Sequence, residues 1–273
     1  MRCGFIGYGN MGSALVKALI RDGSLQERDV VVHNRTPERL ADLVREHPRV
    51  RVADSLSSIA GNVDVLFICV HSTAVPDVLS KLGGALHPET HLITINGGVN
   101  IADLEAVHGG PVSKVIPSIT IGTGRGIALM SHGKKVSRSK AEALEMLLSR
   151  SSKVMVLPEE KIGAATDMTS CGPGLMASMI SHFASSGARA GRLDPKEAMA
   201  LTLETLMGTA LLLSEKGETP SEITGRVATP GGITEHGLKV LNAELPAVLD
   251  RMFEATGRKR AEVKGSLMGA GRR

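Results

Sequence analysis

Cysteine and aromatic residues are both scarce in this sequence, and tryptophan is missing. The three cysteines, Cys3, Cys69 and Cys171, are odd in number and spaced unlike any zinc pattern, which argues against both a disulfide framework and a metal site. Cys3 and Cys69 sit in apolar runs and read as small buried hydrophobes. Aromatics make up 2% of the chain, too few for the stacking platforms on which single-stranded nucleic acid is bound. The net charge of +4 is modest. Its densest basic cluster, Arg258, Lys259, Arg260, Lys264, Arg272 and Arg273, reads as a solvated tail. No stretch approaches the roughly 20 uncharged apolar residues of a membrane helix. The chain enters an apolar run at Cys3-Gly4-Phe5-Ile6 without a basic leader or a cleavage site. The expectation is a cytoplasmic protein with neither a nucleic-acid nor a membrane partner.

What is present is globular. The chain has 273 residues, 42% apolar and 22% charged, enough to bury a core unaided. Its first half alternates short apolar runs with helical segments. Strands are expected at Arg2–Ile6, Asp29–His33, Arg49–Val52, Val63–Val70, His91–Ile95, Lys114–Ile116, Gly126–Ser131 and Lys153–Leu157, and early helices at Met11–Arg21, from Thr36 to about Glu46, and at Ser55–Ala60. That alternation predicts an α/β fold, a Rossmann doubly wound parallel sheet. After about Pro158 the valine runs stop and Ala, Met, Leu and Gly dominate. Near-continuous helix is expected over Gly163–Ala190, broken at Gly172-Pro173-Gly174. A second helix should start at Asp194-Pro195 and be ended by Gly217, and a third near Pro220. A fourth should begin at Gly232 and a fifth cover Leu245–Thr256. Several of these helices are apolar on more than one face, as with Met199, Leu203, Leu206 and Leu211, so a partner subunit is expected to cover what one domain cannot. The expected division is residues 1–158, a nucleotide-binding Rossmann domain, and 159–273, an all-α dimerisation and substrate domain.

Gly7-Tyr8-Gly9-Asn10-Met11-Gly12 is a G-x-G-x-x-G element between an expected strand and an expected helix, the context that gives such a string meaning. Gly7 permits the turn, Gly9 lets a pyrophosphate approach the backbone, and Gly12 lets the helix pack close. The second strand ends in His33-Asn34-Arg35-Thr36. An NAD site usually places an acid here for the ribose 2′-hydroxyl. Neutral Asn34 does not repel a 2′-phosphate, Arg35 can clamp one, and Thr36 can add a hydroxyl. NADP is therefore favoured over NAD. Val70 and His71, ending the fourth strand, and Asn96, ending the fifth, are expected along the same crevice, Asn96 reaching the nicotinamide ribose or carboxamide and His71 lying near a ribose.

These segments, taken with the C-terminal third, resemble the pyrroline-5-carboxylate reductase family over the whole chain. The resemblance is carried by Gly4 to Gly12, by Leu92-Ile93-Thr94-Ile95 running into Gly98-Val99, by Val115-Ile116-Pro117, by Gly172-Pro173, and most specifically by Thr229-Pro230-Gly231-Gly232-Ile233-Thr234 followed by Gly237-Leu238. It implies hydride transfer from NADPH to the C=N carbon of 1-pyrroline-5-carboxylate, giving L-proline, in a dimer with interlocked helical domains. By position it implies that Thr234 is the catalytic hydrogen-bond partner of the ring nitrogen. Thr229, Gly231 and the amides of Gly232, Ile233 and Thr234 would hold the substrate carboxylate. The chemistry agrees, because amides at a helix start suit a carboxylate and glycines let it approach.

Several positions depart from the family pattern: Val70-His71-Ser72, Ile116-Pro117-Ser118-Ile119-Thr120, Thr169-Ser170-Cys171-Gly172-Pro173-Gly174, and Ile233. They are similar to a divergent branch, the reductase-like proteins encoded in late-competence operons. A protein that binds NADP with little turnover is thus one alternative. A β-hydroxyacid dehydrogenase using Lys161 is another.

Overall fold

The computed structural model describes residues 1–82 and 84–270, with side chains described as far as Glu262. It divides into two compact units, the first formed by Met1–Pro173 with the chain from Gly257 onward, the second by Gly174–Thr256.

The first unit is an eight-stranded sheet. Its strands are β1 (Cys3–Ile6), β2 (Val30–His33), β3 (Arg51–Val52), β4 (Val65–Ile68), β5 (His91–Thr94), β6 (Val112–Pro117), β7 (Gly126–His132) and β8 (Ser152–Val156). They lie in the order β3-β2-β1-β4-β5-β6-β7-β8. The helices are α1 (Asn10–Arg21), α2 (Ala41–Glu46), α3 (Leu56–Ala60), α4 (Val75–Leu82), α5 (Ile101–Glu105), α6 (Arg138–Ser149) and α7 (Glu159–Thr169). The sheet is not wholly parallel: β6 and β7 pair antiparallel, while β7 and β8 pair parallel. The reversal has a local cause. Only a short 3-10 turn, Ile119–Thr123, separates β6 from β7, too little chain for the crossover a parallel neighbour needs. Both sheet faces are covered, so β1, β4, β5 and β6 are buried at every position and read as unbroken apolar runs rather than alternating ones. On one face Phe5 and Phe67 stack 5.0 Å apart between adjacent strands. Cys3 and Cys69 belong to that core, as their sequence context suggests. α7 also belongs to the sheet: Ile162 packs on Ile116 and Leu129, so the first unit runs past the compositional change at Pro158.

A row of buried polar groups crosses the opposite end of the sheet. His91 Nε2 lies 2.7 Å from Ser113 Oγ, which lies 2.8 Å from His132 Nδ1. Burial, then the His132, Lys140 and His108 charges, push the His91 imidazole down to about 3. Burial also lowers His132, against the raising influence of Glu145.

The second unit is helical: α8 (Gly172–Gly191), α9 (Pro195–Ser214), α10 (Pro220–Val227) and most of α11 (Ile233–Ala270). The caps follow the sequence. Asp194 accepts from the amides of Lys196 and Glu197, Thr219 and Glu222 form a capping box, and Gly217 adopts φ +70° beyond α9. The expected fourth and fifth helices are one. α11 runs through Pro246, because a proline removes a single backbone donor and the rest of a long helix can carry it. α9 has the length and mean hydropathy, 1.2, of a membrane-crossing helix, but Lys196, Glu197 and Glu204 lie within it, so it is not the uncharged apolar run that such a helix needs. One further expectation is corrected. Arg260 is not a solvated tail residue. Its Nη1 lies 2.7 Å from the buried Asp167 carboxylate and donates to the Gly163 carbonyl. The side chain of Lys264 and residues Arg272 and Arg273 fall outside what the structure describes.

Candidate active site

Because β1, β2, β4, β5 and β6 run parallel, their C-terminal ends share one edge of the sheet. Strand order reverses between β1 and β4, the switch point where α/β sheets open a crevice. Gly7, Asn34, Val70 and Asn96 are gathered along this edge.

The glycine turn is built as the fingerprint requires. Gly7 has φ +98°, and a Cβ there would strike the Cys69 carbonyl and Val70 Cγ1 at 2.9 Å. A Cβ on Gly12 would collide with the Gly7 carbonyl oxygen. Gly9 differs: nothing lies within 4 Å of where its Cβ would stand. The turn is thus packed tight beneath and open above, a cradle that fits a pyrophosphate at the start of α1.

Its neighbours are fixed by hydrogen bonds. Asn34 Oδ1 accepts from the Tyr8 amide at 2.9 Å, and Asn34 Nδ2 donates to the Thr36 carbonyl at 2.7 Å. Both ends of this side chain tie the glycine turn to the loop after β2. Arg35 and Thr36 are exposed on that loop. Tyr8 contributes its backbone, since its ring lies in the core and burial, then Glu46 and Asp42, push its hydroxyl up to about 12. Asn10 and Met11 open α1. His71 is exposed and caps the next turn, Nδ1 lying 3.0 Å from Thr73 Oγ1. Asn96 Nδ2 is buried with no partner among the described residues, and a ligand acceptor would satisfy it.

The expected substrate residues form a second group, in the second unit. Thr229 to Gly232 join α10 to α11. Gly231 has φ +72°, and its amide donates to Glu235 Oε2 at 2.6 Å. This bond, then Lys239, holds the Glu235 carboxyl below the usual range. The Gly232 amide donates to the Thr229 carbonyl at 2.8 Å, so one of the three amides expected for a carboxylate is already spent. Ile233 is 95% exposed, and the Thr234 side chain is exposed beside it.

Two family models match the chain: one described as NADP oxidoreductase coenzyme F420-dependent, over residues 2–98, and one described as pyrroline-5-carboxylate reductase dimerisation, over residues 159–263. Among curated relatives, pyrroline-5-carboxylate reductase 3 of Bacillus subtilis is 35% identical over 257 residues, 94% of each chain. The chain belongs to the pyrroline-5-carboxylate reductase family. ComE operon protein 4 of the same organism is 27% identical over 96% of each chain, so the divergent branch is also among the relatives of this reductase-family protein. In fold it is similar to the pyrroline carboxylate reductase of Plasmodium falciparum, solved with NADP bound. That match has a TM-score of 0.86 at 21% identity, over 97% of this chain and 98% of that one.

Sequence reasoning missed three polar residues of this family member that the structure places beside the expected ones. Glu235 holds the Gly231 amide. Lys114 and Glu159 grip the turn after Asn96, Lys114 Nζ donating to the Gly97 carbonyl at 2.9 Å and Glu159 Oε1 accepting from the Ile101 amide at 2.9 Å. The signal for Lys114 was a lysine inside a strand buried throughout.

Proposed function

We propose that this protein reduces 1-pyrroline-5-carboxylate to L-proline with NADPH, as a cytoplasmic homodimer or a higher assembly of dimers. Residues 1–158, with Glu159 at the start of α7, serve the nucleotide, and the rest of 159–273 serves dimerisation and the substrate. The observation that carries the reading is 35% identity to a curated reductase over 257 residues, 94% of each chain.

Bound NADPH supplies the hydride, which goes to the imine carbon. The protein's own residues bind and orient. Gly7, Gly9 and Gly12 shape the phosphate cradle. Arg35 and Thr36 face a 2′-phosphate, and Asn34 fixes the loop that carries them. Val70, His71 and Asn96 line the crevice. On the substrate side the Ile233 and Thr234 amides and the Thr229 hydroxyl take the carboxylate, while the Thr234 hydroxyl bonds the ring nitrogen, which takes one proton from water to become the iminium that accepts the hydride. A cyclic iminium carbon is already electrophilic, so holding the reactants in place supplies much of the rate.

Two substitutions test the assignment. Thr234→Ala should lower kcat about a hundredfold, the usual scale for removing one preorganised donor, while NADPH still binds. Arg35→Ala should weaken NADPH more than NADH, and equal losses would remove the case for NADP. A second reading, a nucleotide-binding paralogue with little turnover, is favoured by the likeness to ComE operon protein 4. It predicts NADPH binding without consumption when the imine is added.

A further inference from the structure

Lys114 stands in the middle of a buried strand with its side chain 4% exposed. An ammonium so placed must be paired and hydrogen-bonded to be tolerated. Its Nζ donates to the Gly97 carbonyl at 2.9 Å and lies 3.6 Å from Glu159 Oε1. That same carboxylate oxygen accepts from the Ile101 amide at 2.9 Å. One cation and one carboxylate thus join β6, the first residue of α7 and the loop between β5 and α5, holding that loop at both ends. Immediately before the gripped segment is Asn96, whose buried Nδ2 has no partner among the described residues.

We infer that Lys114, with Glu159, is a positioning residue: it fixes the Asn96-Gly97-Gly98 turn in the conformation that keeps the Asn96 amide available to an acceptor on the nicotinamide half of the nucleotide. Lys114 acts through the turn and does not touch the nucleotide. The inference rests on the NADPH reading above. It adds a requirement that neither the glycine fingerprint nor the Pro-Gly-Gly segment contains.

The test uses the full-length protein, with NADPH affinity read by nucleotide fluorescence, thermal stability read separately, and steady-state kinetics for both substrates. Lys114→Met should weaken NADPH about tenfold, the equivalent of one hydrogen bond to the ligand, and raise KM for NADPH while kcat at saturation changes little. The double variant Lys114→Met/Glu159→Gln removes both charges of this ion pair. It should regain thermal stability yet keep the weakened affinity, and it decides the matter if the single variant does not fold. Lower stability with wild-type NADPH affinity, in either variant, would reduce the pair to a structural contact and overturn the inference. Failure of the unsubstituted protein to bind NADPH is a distinct result, which would bring down the functional reading and this inference with it.

Discussion

In the sheet unit β1, β4, β5 and β6 are buried at every position, whereas between Gly174 and Thr256 the only buried apolar side chains among the described residues are Ala184, Ala188 and Ala198. Large apolar residues of the helical unit, among them Phe183, Leu201, Met207 and Val240, are between 52% and 68% exposed. The first unit carries its own core. The second has the helix-forming and capping signals of a stable fold but leaves its largest apolar side chains open. An apolar surface of this extent is characteristic of an obligate interface. Thr202, Thr205 and Thr209 fit the same picture. Their hydroxyls donate back to carbonyls one turn earlier on α9, so these polar residues make no outward demand on a covering partner.

The largest effect is expected in the sheet unit. Gly12→Val should abolish NADPH binding and cost about 1–3 kcal/mol of stability, because the added carbons meet the Gly7 carbonyl. Calorimetric titration with NADPH checks it, and retained binding would mean the turn is not the cradle. The next effect belongs to the helical unit. Leu201→Lys with Met207→Lys should shift the protein towards monomers in sedimentation while NADPH still binds, since neither side chain supports the sheet. An unchanged mass would show that this face is not the interface.

Acid should act on the sheet unit first. The unfolded His91 imidazole titrates near 6.5 and the folded one near 3, so between those values the unfolded chain binds more protons. Stability should therefore fall as pH drops from about 6.5 towards 3, by up to about 1.4 kcal/mol per pH unit, with His132 adding in the same direction. His91→Gln should flatten this slope in denaturant titrations at several pH values. The smallest effect is chemical. Cys171 is exposed while Cys3 and Cys69 are buried, and burial raises the thiols of the latter two, Cys3 to about 12. A thiol reagent should label Cys171 in the native protein and reach the other two only on unfolding. Rapid labelling of all three would contradict the burial.

Much of this was legible in the sequence for identifiable reasons. Valine runs gave the parallel strands, Thr219-Pro220 and Asp194-Pro195 gave the helix starts, and glycines at fixed spacing gave the cradle. Each of these rests on residues close together in the chain. What escaped depends on residues far apart. The antiparallel β6–β7 pair follows from the length of one turn, and Arg260 meets Asp167 although the two are 93 positions apart. Lys114 belongs to no motif and acquires its meaning only from Gly97 and Glu159. The two helices expected from Gly232 and over Leu245–Thr256 are one, α11, which carries Pro246 within it.

Reductase activity is tested by adding 1-pyrroline-5-carboxylate to the purified protein with NADPH, following absorbance at the nicotinamide band and proline in the product. Imine-dependent loss of NADPH, matched mole for mole by proline, is the expected result. NADPH that binds to the protein and stays unoxidised at every imine concentration would contradict it.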